Sequence, residues 1–206
     1  MSPSFSSPGL SAPPVAPSAT GTSARAASRT AFPTTGGIPA GPVGPTSAEL
    51  LDFVRRTAGD EVLVSLLPLD PRVRTWLRLE GPYGSEGWLI GWPPGTGTGW
   101  HDHGGSQGAF ATASGRLTEH SPSQPPPTDG RPVLEIGEGG HRQRELAVGD
   151  ARAFGTHHVH EVVNPAHHGH AISVHVYHPP LPLMRRYSRH GRLLRLEEIE
   201  QPREWS

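Results

Sequence analysis

Short β-type runs separated by turns fill the chain from Thr75 onward, and they constrain its fold more than any other feature. Gly and Pro are abundant, with 26 and 24 among 206 residues, and they interrupt the sequence too often for long helices. The runs rich in aliphatic and aromatic residues span 76–79, 87–92, 109–112, 133–136, 161–163 and 171–177. Because no helical pattern separates them, they predict a mainly β, antiparallel sandwich or barrel.

Less regular segments connect and follow these runs. Residues 121–130 contain three consecutive prolines and are predicted to form a loop between strands. Residues 185–206 are highly charged, and we expect them to cover the outside of the domain as strand or coil.

A short helical segment precedes the β-type region. Thr46 and Glu49 match the capping-box pattern at a helix N-terminus, with Thr46 as the N-cap. Apolar residues then recur at helical spacing, namely Leu50, Leu51, Val54 and Ala58. We expect this helix to end near Gly59, followed by a second helical turn or two over 61–67 before Pro68.

Residues 1–45 differ in composition from the rest of the chain. They are rich in Ser, Pro, Ala, Gly and Thr, lack Asp and Glu, and carry charge only at Arg25 and Arg29. Such a stretch has too few apolar groups to offset the entropy of ordering it, so we predict a disordered tail. A transit-type or twin-Arg targeting segment is the alternative, whereas the missing apolar core argues against a secretory signal. A single domain is expected over 46–206.

Overall charge and cysteine content exclude several classes of protein. The net charge is −1 and no basic stretch stands out, which argues against nucleic-acid binding. The absence of Cys excludes a disulfide framework and thiolate metal sites, and it favours a cytoplasmic location. No apolar run is long enough to span a bilayer, so no membrane partner is expected.

The stretch GWHDHGGSQG, residues 99–108, fits two different chemistries. Its second half matches G-x-S-x-G, which in serine hydrolases places a nucleophile, here Ser106, between a strand and a helix. The residues that follow, 109–113, are β-like and too few for that helix, and the chain lacks βαβ alternation. The hydrolase pattern is therefore best explained by chance in a chain rich in Gly and Ser.

The first half of the same stretch suggests a metal site. On a strand, His101 and His103 project from one face while Asp102 projects from the other. Gly95 and Gly115 flank them at spacings that resemble the first cupin motif, G-x5-H-x-H-x4-E-x6-G, with Gly108 at the position of the Glu. Residues Gly149, Gly155, His160 and Asn164 resemble the second cupin motif. The resemblance implies a double-stranded β-helix barrel of the jelly-roll type, with His101, His103 and His160 as metal ligands.

Other histidines compete for the role of third ligand. His158 and His160 alternate on one strand, and the spacing to Asn164 favours His160. His157 should then point away, and the histidines at 167, 168 and 170 lie in an expected surface turn. Three neutral imidazoles leave a divalent ion its full charge, which suits an anionic, chelating substrate. Imidazole suits Fe(II) but also Zn, Ni or Cu.

Two longer segments carry a more specific resemblance. WPPGTGTGWHDHGGSQGAF and HVHEVVNPAHHGHAISVHVYHPPLP resemble the cysteine dioxygenase family of thiol dioxygenases in its bacterial form, over about Ser47 to Tyr187. The second segment contains the family's S-x-H-x-Y-x-P-P pattern. The resemblance implies Fe(II) as cofactor and oxidation of the L-cysteine thiol to a sulfinate with both atoms of O2. Ser173 and His175 would orient Tyr177, whose hydroxyl would lie nearest the substrate.

The family's Y-x-R pattern is matched by Trp76-Leu77-Arg78, which implies that Arg78 grips the substrate carboxylate. Two departures matter. Animal members cross-link a Cys to the active-site Tyr, but the matching position here is Gly108, so Tyr177 should act as a free phenol. His178 replaces the more usual Ser before Pro179, which leaves the geometry of that peptide bond open.

Two other functions remain open at this point. One is a related dioxygenase acting on 3-mercaptopropionate or another small thiol, and the other is a metal-binding cupin, using Zn or Ni, with no dioxygenase activity. In the preferred interpretation the protein is a monomer whose partners are a small-molecule thiol and O2, with a place in cysteine catabolism.

Overall fold

The computed structural model describes residues 44–202, except for Pro125, Pro127, Glu138 and Gly139. The tail predicted over 1–45 lies outside the described residues apart from its last two. Of these, Pro45 is buried, and its carbonyl oxygen accepts a hydrogen bond from Gln107 Nε2 at 2.9 Å. The end of this stretch therefore contacts the barrel directly.

Within the described residues, two short α-helices precede twelve strands, and a 3-10 turn (Pro82–Gly84) lies between the first two strands. The helices are α1 (Ser47–Ala58) and α2 (Glu61–Ser65). The strands are β1 (Thr75–Glu80), β2 (Glu86–Trp92), β3 (Trp100–Asp102), β4 (Gln107–Ser114), β5 (Arg116–Pro122), β6 (Val133–Glu135), β7 (His141–Ala147), β8 (Ala151–Phe154), β9 (Val159–Val163), β10 (Ala171–His178), β11 (Met184–His190) and β12 (Leu193–Glu200).

The strands form two antiparallel sheets that share a core. One sheet has the order β1-β2-β10-β4-β8, and the other has the order β6-β12-β11-β3-β9-β5-β7. Trp92 and Phe110 from the first sheet pack in one buried cluster with Leu117 and Val162 from the second. These two antiparallel sheets and the shared cluster confirm the predicted fold, which is a mainly β cupin barrel of the jelly-roll type with a short N-terminal helical segment.

Helix α1 packs on the first sheet and begins as predicted. Thr46 Oγ1 accepts from the Glu49 backbone N–H, and a Glu49 carboxylate oxygen accepts from the Thr46 backbone N–H, which completes the capping box. Leu50 and Val54 are fully buried against strands β2, β4 and β10. Gly59 is the C-cap, as expected. Among the described residues, no helix is long and apolar enough to cross a membrane.

Five of the six predicted β-type runs lie within strands and the sixth, 133–136, extends one residue beyond the end of β6, but several strands escaped prediction. β7 is the clearest example, because five of its seven residues are exposed and its sequence, HRQRELA, has no apolar alternation. It is an edge strand paired along its whole length with β5, from Arg116 opposite Ala147 to Pro122 opposite His141. β5 extends to Pro122, so the loop predicted over 121–130 begins two residues later than expected.

Candidate active site

Three histidines from two neighbouring strands converge inside the barrel. His101 lies in β3 and pairs directly opposite His160 of β9, while His103 follows the end of β3. All three are buried, and one ring nitrogen from each lies within 4.8 Å of the others. Asp102 faces away, where its carboxylate accepts from the Tyr187 hydroxyl at 2.5 Å. The structure therefore brings together the three histidines expected as ligands.

Each of these rings has at least one nitrogen without a hydrogen bond to a described residue. His101 Nδ1 lies 3.0 Å from the Gly99 carbonyl oxygen, and His160 Nδ1 lies 3.0 Å from a Glu119 carboxylate oxygen. Both oxygens can only accept, so each Nδ1 carries the proton and each Nε2 keeps its lone pair. Both ring nitrogens of His103 are buried without a hydrogen-bond partner among the described residues. Because a buried polar atom is normally satisfied, a bound metal ion fits this set of donors.

The same three imidazoles are held in the form that binds metals. Burial is the main cause that lowers their pKa well below the ordinary value, and neighbouring imidazoles lower it further. They are therefore neutral at neutral pH, as metal coordination requires.

His158 and His157, the neighbours of the third histidine, are engaged elsewhere. His158 Nε2 donates to Glu119 at 2.9 Å, while exposed His157 places its Nδ1 3.1 Å from the Thr128 hydroxyl. His158 does not line the cavity described below.

Gly108 occupies the position that matches the cupin glutamate and the cross-linking cysteine, and the surroundings leave no room for a side chain there. It lies on β4 directly opposite Tyr177 of β10. A Cβ atom at Gly108 would be 2.4 Å from the Val176 carbonyl oxygen and 2.6 Å from Phe154 Cζ. No side chain fits there without moving backbone, so Tyr177 has only a glycine beside it on β4.

A directional chain of hydrogen bonds leads to the Tyr177 hydroxyl. Trp92 Nε1, which can only donate, donates to Ser173 Oγ at 2.8 Å. The Ser173 hydroxyl lies 2.9 Å from His175 Nε2, and His175 Nδ1 lies 3.3 Å from the Tyr177 oxygen. If Ser173 donates onward, neutral His175 must carry its proton on Nδ1 and donate to Tyr177. The Tyr177 O–H is then free to donate to a ligand.

The pKa values of His175 and Tyr177 indicate that the Tyr177 hydroxyl acts as a hydrogen-bond donor rather than as a base. Burial, followed by the positive charge of Arg74, lowers the pKa of His175 to about 3, which keeps the ring neutral. Burial, followed by the negative charge of Glu86, raises the pKa of Tyr177 above its ordinary value. The phenol therefore retains its proton.

A cavity of about 380 Å³ opens beside these groups. His101, His160, His175 and Tyr177 line it together with three tryptophans and two arginines, which are Trp76, Trp88, Trp92, Arg74 and Arg186. Ile90, Val162, Leu181 and Met184 also line it, so the walls combine apolar and polar groups, as is typical of small-molecule sites.

The two cavity arginines differ in how they are bound. Arg186 donates to both Glu200 carboxylate oxygens, at 2.7 and 2.9 Å, and to the Thr98 carbonyl at 3.0 Å. Arg74 stacks over the Trp92 ring at 5.2 Å and has no hydrogen bond to any described residue. Burial, followed by repulsion from Arg186, lowers the pKa of Arg74. Arg74 therefore presents unused donors to the cavity.

Arg78 does not lie among the described residues that line the cavity. It lies on β1, whereas Arg74 directly precedes that strand, and it pairs with the buried carboxylate of Glu86 at 2.8 Å. Its side chain is 69% exposed. The sequence contains no signal that would favour Arg74 over Arg78 as a cavity residue. The peptide bond between His178 and Pro179 has the cis geometry.

Solved structures similar to this chain resemble it only distantly. A DMSP lyase is 17% identical over 50% of this chain and 46% of its own, with a TM-score of 0.38. Protein TT1209 from Thermus thermophilus is 18% identical over 57% of this chain and 94% of its own, with a TM-score of 0.43. A Cupin 2 conserved barrel domain protein from Salinispora arenicola is 22% identical over 54% of this chain and 79% of its own, with a TM-score of 0.36. The chain spans just under half the length of the first of these.

No curated protein matches the chain. The family model of cysteine dioxygenase type I matches residues 38–190, which include all three converging histidines, the Ser173–His175–Tyr177 stripe and both arginines of the cavity. The match covers about three quarters of the sequence, and so the chain belongs to the cysteine dioxygenase type I family.

Proposed function

We propose that this protein is a non-haem Fe(II) dioxygenase that oxidises the thiol of L-cysteine to cysteine sulfinate. Both atoms of O2 are added to sulfur, so the reaction balances without an external reductant. The observation that carries the proposal is the shared cavity, because His101, His160, Tyr177 and Arg74 all line it. Family membership supports oxidation of a thiol as the reaction class.

His101, His103 and His160 would hold the iron. When bound, Fe(II) would supply the activation of the thiol and of O2. Since the closed position at Gly108 admits no carboxylate ligand, the three protein ligands are all neutral. This donor set favours an anionic, thiolate-bearing substrate at the metal.

Arg74 is the residue we propose for gripping the substrate carboxylate, in place of Arg78. A guanidinium offers two parallel N–H donors that match a carboxylate, and those of Arg74 are not used by the protein. Arg78 already has a carboxylate partner in Glu86. The Trp92 ring beneath Arg74 would hold the guanidinium in place through a cation–π contact.

Tyr177 would act as a hydrogen-bond donor to an oxygen atom of the substrate. The chain from Trp92 through Ser173 and His175 orients its hydroxyl, and the raised pKa of Tyr177 keeps it protonated. The aromatic walls of the cavity would limit access of water.

3-Mercaptopropionate, which lacks the amine, is the second candidate substrate. Glu200 is the one acidic residue among the described lining residues, and both of its oxygens bind Arg186. The described cavity thus has groups suited to a carboxylate but none dedicated to an ammonium group.

Oxygen uptake by the iron-loaded protein with L-cysteine, 3-mercaptopropionate and cysteamine tests the proposal. We expect fastest uptake with L-cysteine, one sulfinate formed per O2, and slow uptake with cysteamine because it has no carboxylate for Arg74. His103→Ala should abolish uptake, while His157→Ala, a change at an exposed histidine, should not. Faster uptake with 3-mercaptopropionate would favour the second candidate, and none with any thiol would favour a non-oxygenase cupin.

A further inference from the structure

Glu119, on β5, is a buried carboxylate directly behind His160. One of its oxygens accepts from His160 Nδ1 at 3.0 Å and from His158 Nε2 at 2.9 Å. Its other oxygen pairs with Arg152 and lies 3.7 Å from a guanidinium nitrogen of Arg144. The Glu119 side chain is 0% exposed, so all of its interactions are with protein.

This cluster is poorly suited to hold a metal ion of its own. Ligand atoms of Glu119, His158 and His160 do lie within 4.8 Å of one another. However, Arg152 already pairs with the carboxylate, and a dication there would lie beside a guanidinium in a medium of low dielectric constant. The nitrogen that His160 offers on this side also carries its proton. The interactions of Glu119 are therefore directed at the imidazole.

We propose that Glu119 is a positioning residue that sets the tautomer and the ring orientation of His160 for metal binding. The carboxylate can only accept, so it keeps the proton on Nδ1 and leaves the Nε2 lone pair for the side of the ring toward His101 and His103. Arg152 and His158 in turn hold the carboxylate. The inference rests on the proposed metal site.

The position of Glu119 explains how a carboxylate can serve this site without touching the metal. At Gly108, where related cupins place a ligand, a Cβ would meet the Val176 backbone. Glu119 lies on β5, which pairs with β9, and the imidazole of His160 stands between its carboxylate and the candidate metal position. Its effect must therefore pass through His160.

Long-range 1H–15N NMR of the metal-free, unaltered protein tests the tautomer directly. We expect a neutral His160 protonated on Nδ1. A His160 protonated on Nε2 would overturn the proposal, whatever the variants show.

Co(II) affinity, measured by its absorption bands in competition with a chelator, tests the consequence. We expect Glu119→Leu to weaken Co(II) binding by about 10- to 100-fold and to remove the single tautomer of His160. Glu119→Gln should restore most of the affinity, because its amide oxygen can still accept from Nδ1–H. The matched control is Glu161→Gln on β9, whose carboxylate binds His120 rather than a candidate ligand, and it should bind Co(II) like the unaltered protein.

A folded Glu119→Leu variant with unchanged Co(II) affinity would contradict the inference. If that variant does not fold, as judged by circular dichroism, the tautomer in the unaltered protein decides. Failure of the proposed function has a different signature, because the unaltered protein would then bind no Co(II), or would bind it but oxidise no thiol when loaded with iron.

Discussion

At the residue scale, Arg74 and Arg78 show how two similar side chains close together in sequence come to differ in role. Arg78 lies on β1, and Arg74 directly precedes that strand. Each guanidinium lies over a tryptophan ring, Arg78 over Trp88 and Arg74 over Trp92. Arg78 also pairs with the buried carboxylate of Glu86, whereas Arg74 has no such partner among the described residues and lines the cavity. The resemblance to Y-x-R selected Arg78, and only the contacts of each guanidinium distinguish the two.

We expect Arg74→Gln to raise the KM for L-cysteine by roughly 10- to 100-fold, because a hydrogen bond to a charged group contributes about 1.5–3 kcal/mol. The KM for cysteamine, which has no carboxylate, should change little. Arg78→Gln is the matched control and should leave the KM for L-cysteine within about twofold, because Arg78 is not among the described residues that line the cavity. Steady-state oxygen uptake gives each of these KM values. Equal effects of the two substitutions on the KM for L-cysteine would refute the assignment of Arg74 as the carboxylate-binding residue.

At the scale of elements, the close approach of β4 to β10 depends on a glycine. We expect Gly108→Ala to lower the free energy of unfolding by about 1–3 kcal/mol, because its Cβ would meet the Val176 carbonyl oxygen, which is backbone and cannot rotate away. Gly155→Ala is the matched control, since no atom lies within 4 Å of its Cβ position. Urea unfolding measures both, and a Gly108→Ala variant as stable as Gly155→Ala would contradict this account of the strand contact.

Elements also show where sequence patterns reach their limit. α1 was predictable because capping and helical periodicity are local, and β10 because Ser173, His175 and Tyr177 alternate with apolar residues. β7 was not, because an exposed edge strand is held by its hydrogen-bonded partner β5 rather than by burial of its own side chains. A hydrophobic pattern cannot reveal a strand of that kind.

At the scale of the whole molecule, buried neutral histidines couple stability to pH. In the folded protein the pKa of His175 is about 3, whereas a histidine in the unfolded chain has a pKa of about 6.5. Between these values the unfolded chain binds a proton that the folded chain does not, so the free energy of unfolding falls as pH is lowered through this range. Glu119 lowers the free energy of unfolding further at still lower pH. Burial alone would raise its pKa, but hydrogen bonds from His158 and His160 lower it, and that stabilisation is lost below the pKa of the unfolded carboxyl.

We therefore expect the urea midpoint of the metal-free protein to decrease from pH 7.5 to pH 5.5. His175→Gln should reduce the slope, because it removes one of the groups that titrate only when unfolded. A midpoint that stays constant or rises toward pH 5.5 would show that these imidazoles are protonated in the folded state.

Local patterns were enough to predict the succession of short strands and turns, the paired histidines at 101 and 103 and the polar residues that alternate along β10. These features follow from the two-residue period of a strand, which needs no knowledge of distant contacts. The tertiary structure decided which arginine reaches the cavity and which acidic residue supports a candidate ligand. Those assignments depend on strands that meet only in the folded barrel. Glu119 and His160, for example, are 41 positions apart, yet they are joined by one hydrogen bond between β5 and β9.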